Sequence, residues 1–424
     1  MLIEKRASQI VVSALLSVFM LAACSRSNSS STLKVTMLDQ NSQPTADSTV
    51  VLGIQDGAMI TWTTTDSNGE AFFSTPPLNA TVTGIWHQRS ATDNFDNYGM
   101  QVYYDINVPS LTMRLSASPT TSLGTSNVSI TAPPDVNSWS LTAGRSTYFN
   151  FSSPVSVTFY SNDVQNDGKV SYAAIGYDTN GKAVGYGILL DQDLSDGMNA
   201  DVSIDKTDFT AVSYNFSNVP PSVISTWGYL SEQRKSATLF GISPDSTSPT
   251  MNFKAIPFFG DRYRYSALAH SDQNNDGVAE TIIAFEKNSS KLESQTLNLE
   301  LAAPVPYNIT VAGIGSSTPT ISWSETDDST DAVVMEIAHN AQTWSELITL
   351  YAPPARSSII FPELPDTLQS VAPKIMYSLG VRNHDCDFIL GYGQFLSMKP
   401  ESDGEFRDWP ENGICRYSAT RYQI

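Results

Sequence analysis

The chain has 424 residues, 24 basic against 43 acidic, a net charge of −19, and only 16% charged residues beside 41% apolar ones. That balance excludes nucleic acid as a partner, because phosphate binding needs clustered Lys and Arg, and it excludes adhesion to anionic lipid through a polybasic face. Scattered Asp and Glu keep a protein of this size apart from its neighbours in solution. The length calls for several domains, and abundant Ser, Thr, Asn, Gly and Pro without long helix-forming stretches predict an all-β chain of tandem sandwiches.

At the start, Lys5 and Arg6 precede an apolar run from Ile10 to Leu21, too short to cross a bilayer comfortably, and small residues follow. The segment Leu21-Ala22-Ala23-Cys24 resembles the lipobox of bacterial lipoproteins. The resemblance implies a signal peptide over 1–23, cleavage before Cys24, and acyl chains on Cys24 that make the membrane the first partner. Residues 24–31 combine the lipidated cysteine with a Ser-rich tether. Ser25-Arg26 lacks the Asp that retains Gram-negative lipoproteins at the inner membrane, which implies the outer membrane if the host has one.

Residues 32–117 predict short strands. Leu33, Val35 and Met37 alternate with Lys34 and Thr36, and Asp39–Pro44, Gln55-Asp56-Gly57 and Asp66–Gly69 supply turns. The order of Val50-Val51-Leu52 and the Thr63–Phe72 run resembles the carboxypeptidase-regulatory-like, or prealbumin-like, β-sandwich. In that family a Thr-Asp-x-x-Gly-x-x-x-Phe hairpin places its Gly at positive φ and its aromatic in the core. The resemblance implies a spacer or binding module without peptidase activity.

Residues 118–127 form a linker. The stretch 128–303 offers strands at Tyr148–Phe151, Val155–Tyr160, Lys169–Tyr177, Ala183–Leu190, Ala211–Phe216, Ala237–Ile242, Tyr263–Ala269, Ala279–Phe285 and Gln295–Leu301. Phe159–Ile175 parallels Ala267–Ile283, each running through Asp-x-(Gln/Asn)-x-Asp-Gly, so this region is one large sandwich using a hairpin twice or two Ig-like units. Asp272, Asn274 and Asp276, or Asp163 and Asp167 with Gln165, place oxygens at alternate positions as a calcium loop does. An EF-hand is excluded at the second turn because Ile283 stands where a bidentate acid belongs. A plain hairpin with Gly168 or Gly277 at positive φ needs no ion. Calcium is the only cofactor the sequence puts forward.

The section 304–424 resembles a fibronectin type III domain through Pro319–Trp323, Val333–Ile337, Phe361–Pro365 and Tyr377–Val381, and departs from it after Val381 in a disulfide-tied extension. With Cys24 lipidated, Cys386 and Cys415 are left in an exported chain and are expected to form a disulfide. His384 is their only sequence neighbour suited to metal.

No catalytic motif emerges. His87, His270, His339 and His384 are scattered, no Gly-x-Ser-x-Gly elbow occurs, and Ser203-Ile-Asp-Lys206 lies in a strand-like run instead of a helix start. Aromatic candidates for stacking sugars are Trp86, Trp139, Trp227, Trp409 and Phe258–Tyr265. In Arg262–Tyr265 strand alternation predicts tyrosines inside and arginines in solvent. The expected function is an anchored structural or interaction protein of the cell envelope with an envelope protein or polysaccharide as partner. The alternative is a carbohydrate-binding accessory protein or exported hydrolase with its site in the central region.

Overall fold

The computed structural model describes residues 32–39, 43–89, 96–114, 122–144, 146–149, 153–160, 163–164, 168–234, 237–240, 250–257, 259, 262–272, 281–299, 303, 306–324, 329–339, 347–373, 376–398, 410 and 413–423. Cys24 and the segments before Thr32 lie outside them. The fold is all-β, built of β-sandwiches.

The first sandwich comprises β1 (Thr32–Leu38), β2 (Thr49–Gly53), β3 (Met59–Thr64), β4 (Glu70–Ser74), β5 (Ala80–Arg89), β6 (Asp96–Ile106) and β7 (Ser110–Arg114). The second has β8 (Ser122–Thr131), β9 (Ser138–Ala143), β10 (Ser146–Phe149), β11 (Val155–Tyr160), β12 (Lys169–Tyr177), β13 (Ala183–Asp193) and β14 (Met198–Ser203). The third has β15 (Thr210–Ser217), β16 (Val223–Arg234), β17 (Ala237–Phe240), β18 (Thr250–Ala255), β19 (Arg262–Ser271), β20 (Thr281–Ser289) and β21 (Gln295–Asn298). The fourth has β22 (Tyr307–Ala312), β23 (Thr320–Ser324), β24 (Ala332–His339), β25 (Leu347–Ala352), β26 (Ser358–Ile360), β27 (Met376–Cys386) and β28 (Ile414–Gln423), with helix α1 (Tyr392–Met398) between its last two strands.

The first three sandwiches repeat one topology. One sheet runs β4-β1-β7, β11-β8-β14 or β18-β15-β21, and the facing strands run β3-β2-β5-β6, β10-β9-β12-β13 or β17-β16-β19-β20. In each, the first strand pairs antiparallel with the fourth and parallel with the seventh. Residues 122–303 therefore hold two sandwiches with separate cores, one around Leu141, Phe159 and Tyr172 and the other around Tyr214, Phe253 and Tyr265, and β8 takes up residues 122–127 of the stretch expected to be a linker, where they pair with β11. The two Asp-Gly turns are not equivalent in that repeat: Asp163 follows the fourth strand of its sandwich, whereas Asp272 follows the fifth. Their likeness reflects shared turn chemistry, not matching positions in a duplication.

The local motifs explain the strands. Gly69 sits at φ +70, and an added Cβ there would stand 2.6 Å from the Met37 carbonyl oxygen. Asp66 caps the turn by accepting the Asn68 and Glu70 N–H groups at 2.8 and 2.9 Å. Pleat alternation then sends Phe73 into the core and leaves Phe72 55% exposed. In the fourth sandwich Trp323 enters the core as expected. The strand expected at Phe361–Pro365 sits upstream at Ser358–Ile360, because Pro362 and Pro365 cannot donate to a ladder. Phe361 and Leu364 are still buried in the core.

Three of the four sandwiches contribute to one 12-stranded sheet, β17-β16-β19-β20-β28-β27-β24-β25-β6-β5-β2-β3. Its order places the fourth sandwich between the third and the first. At one seam β28 pairs antiparallel with β20 and with β27, so the ladder crosses the 303/304 boundary drawn from sequence. At the other, β25 pairs parallel with β6. Alternate residues of β6 serve two cores: Met100, Val102 and Tyr104 pack with Ile321, Trp323 and Leu350, while Tyr103 packs with Leu33, Val35 and Trp86. The second sandwich meets the third through Ile175, Tyr186, Ile256 and Phe259.

Cys386 and Cys415 are register partners on β27 and β28 and form a disulfide, with Cα atoms 4.1 Å apart. Closing a loop of 29 residues stabilises the fold by about 3.5 kcal/mol in the chain-entropy account. The double variant Cys386→Ser/Cys415→Ser is expected to lose about that much in urea unfolding, with m equal or larger because the unfolded chain is less constrained. A loss below about 1 kcal/mol would mean that β28 is held by its ladders alone.

Candidate functional site

Two seams collect buried polar and aromatic side chains of the described residues. The first seam surrounds the disulfide. Asp331 lies just before β24 and accepts the Cys386 N–H at 2.8 Å and the Gly391 N–H at 3.1 Å, fixing the turn into α1. Burial pushes its carboxyl above the ordinary range against the pull of those two donors. Arg416 pairs with Asp385 at 3.1 Å, and Arg264 with Glu286 at 2.7 Å. The Ser418 hydroxyl donates to the Ala303 carbonyl, and the Thr420 hydroxyl to Pro306 at 2.8 Å, tying the connection between the third and fourth sandwiches to β28.

His384 lies in this seam on β27, buried between Tyr417 and Phe395, with ring centroids 5.6 Å away in each case. Neither ring nitrogen has a hydrogen-bond partner. Burial, reinforced by the Arg382 charge, pulls its pKa down to about 3. Enclosed between the two rings, the imidazole packs the seam as a neutral group.

The second seam joins the first and fourth sandwiches. Tyr103 stacks on Tyr351 with centroids 4.6 Å apart, and its hydroxyl donates to Gln101 at 2.8 Å. Gln101 in turn donates to the Arg114 carbonyl at 2.6 Å. Arg356 grips Asp105 with two bonds of 2.6 and 2.7 Å and lies over the Tyr104 ring. Asp105 adopts φ +55 where the β5–β6 register shifts, which aims its carboxylate across the seam. Burial raises the Tyr103, Tyr104 and Tyr392 hydroxyls well above their usual range and Tyr351 to about 12. These phenols are fixed as neutral donors, a structural role.

The residues picked out by sequence lie partly within and partly outside the described residues. Asp163 is buried, with a carboxylate oxygen accepting the Tyr160 N–H at 2.9 Å, so it caps its own turn. Asp272 is buried and its N–H donates to the Ser222 carbonyl at 2.8 Å. Asp167, Asn274 and Asp276 lie outside the described residues. Among the described residues no three His, Cys, Asp or Glu side chains gather to hold a metal. His87 stacks on Tyr98 at 4.8 Å. Ser203 ends β14, and Lys206 lies over the Tyr186 ring, so Ser203–Lys206 occupies a strand end.

Trp86 is buried and donates to the Leu38 carbonyl at 3.0 Å, Trp139 packs against the second core, and the Trp227 side chain, Trp409 and Phe258 lie outside the described residues. Tyr263 and Tyr265 are buried as alternation requires. Arg262 is exposed, but Arg264 pairs with Glu286 instead of standing free in water, because the neighbouring β20 brings the carboxylate to it. The exposed aromatics among the described residues, Trp62 at 47%, Phe72 at 55%, Phe149 at 61% and Tyr307 at 42%, are not among those stacking candidates. The signal for Trp62 was the uncharged, Thr-rich Met59–Thr65 run behind the Asp56-Gly57 turn.

No family profile and no curated protein matches the chain. Among solved structures it is similar to a leucine-rich repeat protein from Bacteroides thetaiotaomicron (8% identity, TM-score 0.16, 42% of this chain and 26% of that one). It is also similar to BcpA, the major pilin subunit of Bacillus cereus (8%, TM-score 0.16, 63% and 98%). A third is the Bacteroides ovatus protein SGBP-B of a mixed-linkage glucan utilization locus, in complex with a mixed-linkage heptasaccharide (11%, TM-score 0.10, 94% and 97%). The chain thus spans about a quarter of the length of the first. Such scores carry no inference about activity, and the fold stands on its own strand topology.

His384 provides a pH test. Its folded pKa of about 3 lies below the ordinary 6.5, so between those values the unfolded chain binds the extra proton. Its contribution is complete above pH 6.5 and is lost as pH falls toward 3, at up to about 1.4 kcal/mol per pH unit. His384→Phe is expected to flatten the fall of urea stability between pH 6.5 and 4 relative to wild type. Identical slopes in the two proteins would show that the imidazole already titrates freely.

Proposed function

We propose that this chain is an exported lipoprotein, anchored through acyl chains on Cys24, that acts as a structural or interaction protein of the cell envelope. The observation that carries the reading is Leu21-Ala22-Ala23-Cys24 at the end of a short apolar run behind Lys5 and Arg6. Among the described residues no helix is long and apolar enough to cross a membrane, which is compatible with attachment through lipid. The first described strand opens only eight residues after Cys24, so the folded body begins close to its anchor.

The interaction role is supported by where polar chemistry is spent. Asp331, His384, Tyr103, Tyr351 and Asp105 are engaged at the seams, and Trp62, Phe72 and Phe149 stand exposed. A protein of this kind offers a face to a partner, whether an envelope protein or a polysaccharide, instead of a reaction centre. Several acyl chains, at about 0.8 kcal/mol per buried methylene, make attachment effectively permanent.

Cys24→Ser is therefore expected to move the protein from the membrane pellet to the soluble fraction, with circular dichroism and melting temperature unchanged. A variant that still sediments with membranes would overturn the anchoring.

A further inference from the structure

The exposed apolar side chains of the first sandwich gather toward one end of it, the end from which the anchor segment leads. Thr32 pairs with Ser74, Gly53 with both Thr81 and Met59, and Ala80 with Ile106, so these strand termini share one end. The turn 75–79 closes that end and projects Leu78 with 77% of its surface in solvent. Ile60 and Ile54 stand beside the Gly53–Met59 terminus at 51% and 36% exposure, and Trp62 lies two residues further along β3 at 47%.

The turn is held rigidly. Thr75 and Asn79 both adopt left-handed φ, +51 and +57, which non-glycine residues hold only where the surroundings fix them. Asn79 and Asn107 exchange two hydrogen bonds: Asn79 N–H to Asn107 Oδ1 at 3.0 Å and Asn107 Nδ2 to Asn79 Oδ1 at 2.8 Å. The segment Thr75-Pro-Pro-Leu-Asn-Ala80 carries no charge, and neither does Met59–Thr64. Nearby charges are Asp56, the Asp105–Arg356 pair, and Glu363, which accepts the Met59 N–H at 3.3 Å. An apolar side chain left in water costs free energy that a lipid interface removes, and Trp is favoured at that depth.

We propose that this end of the first sandwich, led by Leu78 with Ile54, Ile60 and Trp62, rests in the interface of the lipid bilayer. The proposal depends on Cys24 being the anchor. The distance supports it: eight residue steps separate Cys24 from Thr32, and at 3.3–3.6 Å per residue they reach no more than about 29 Å. A chain whose full sequence carries a net charge of −19 gains nothing from anionic headgroups, so the contact is apolar and fits a zwitterionic surface. The anchor thus positions one face of the protein as well as retaining it.

The test uses the full lipidated chain carrying Leu78→Cys, labelled with a polarity-sensitive bimane and reconstituted on phosphatidylcholine vesicles. Leu390→Cys, at a site 88% exposed in the fourth sandwich, is the reference. Flotation with the vesicles and a blue-shifted emission at position 78 only, lost when Cys24→Ser is added, is the expected result. Flotation with a water-like emission at 78, or equal shifts at 78 and 390, would overturn the lipid contact while leaving the anchor standing. Failure to float would remove the anchoring reading and this proposal with it.

Discussion

The insertion of β28 between β20 and β27 is the constraint on which the arrangement depends. Ile414–Gln423 satisfies two strand edges belonging to different sandwiches. An uncovered edge of this kind would expose a row of N–H and C=O groups and invite foreign strands. The disulfide joins Cys386 to Cys415 where the β27–β28 ladder ends, and Ser418 and Thr420 bind the connecting segment at Ala303 and Pro306. The fourth sandwich also covers an edge of the first, through β25 on β6, with Arg356 closing on Asp105.

This use of edges accounts for the placement of polar groups. Charges at the seams are matched, Arg356 with Asp105, Arg264 with Glu286 and Arg416 with Asp385. Pairing is required there because an unpaired charge in a half-buried seam is costly. His384 and the buried tyrosines add ring packing without titration in the neutral range.

Much of the fold was legible because alternation and turn chemistry are local. Leu33, Val35 and Met37, the Asp66–Gly69 turn, Trp323 and the Cys386–Cys415 pair all report their environment within a few residues. Sheet continuity was not legible, since nothing in Ile414–Gln423 says that it pairs with residues more than a hundred positions earlier as well as with β27. For the same reason the two Asp-Gly turns looked like a duplication, although the true repeat lies in strand order and not in those residues. The exposed set was missed because alternation cannot tell an outward Trp62 on an edge from an inward Trp86. Only the packing of β5 beneath β1 decides that Trp86 is covered.

The account rests most heavily on β28 serving two sandwiches at once, and native-state hydrogen exchange on a chain ending at Gly413 tests this directly. Removing β28 is expected to strip protection from the β20 amides as well as the β27 amides, while β5 and β12 stay protected. Retained protection along β20 would contradict the account, because it would place the third sandwich's edge outside the ladder that β28 is held to close.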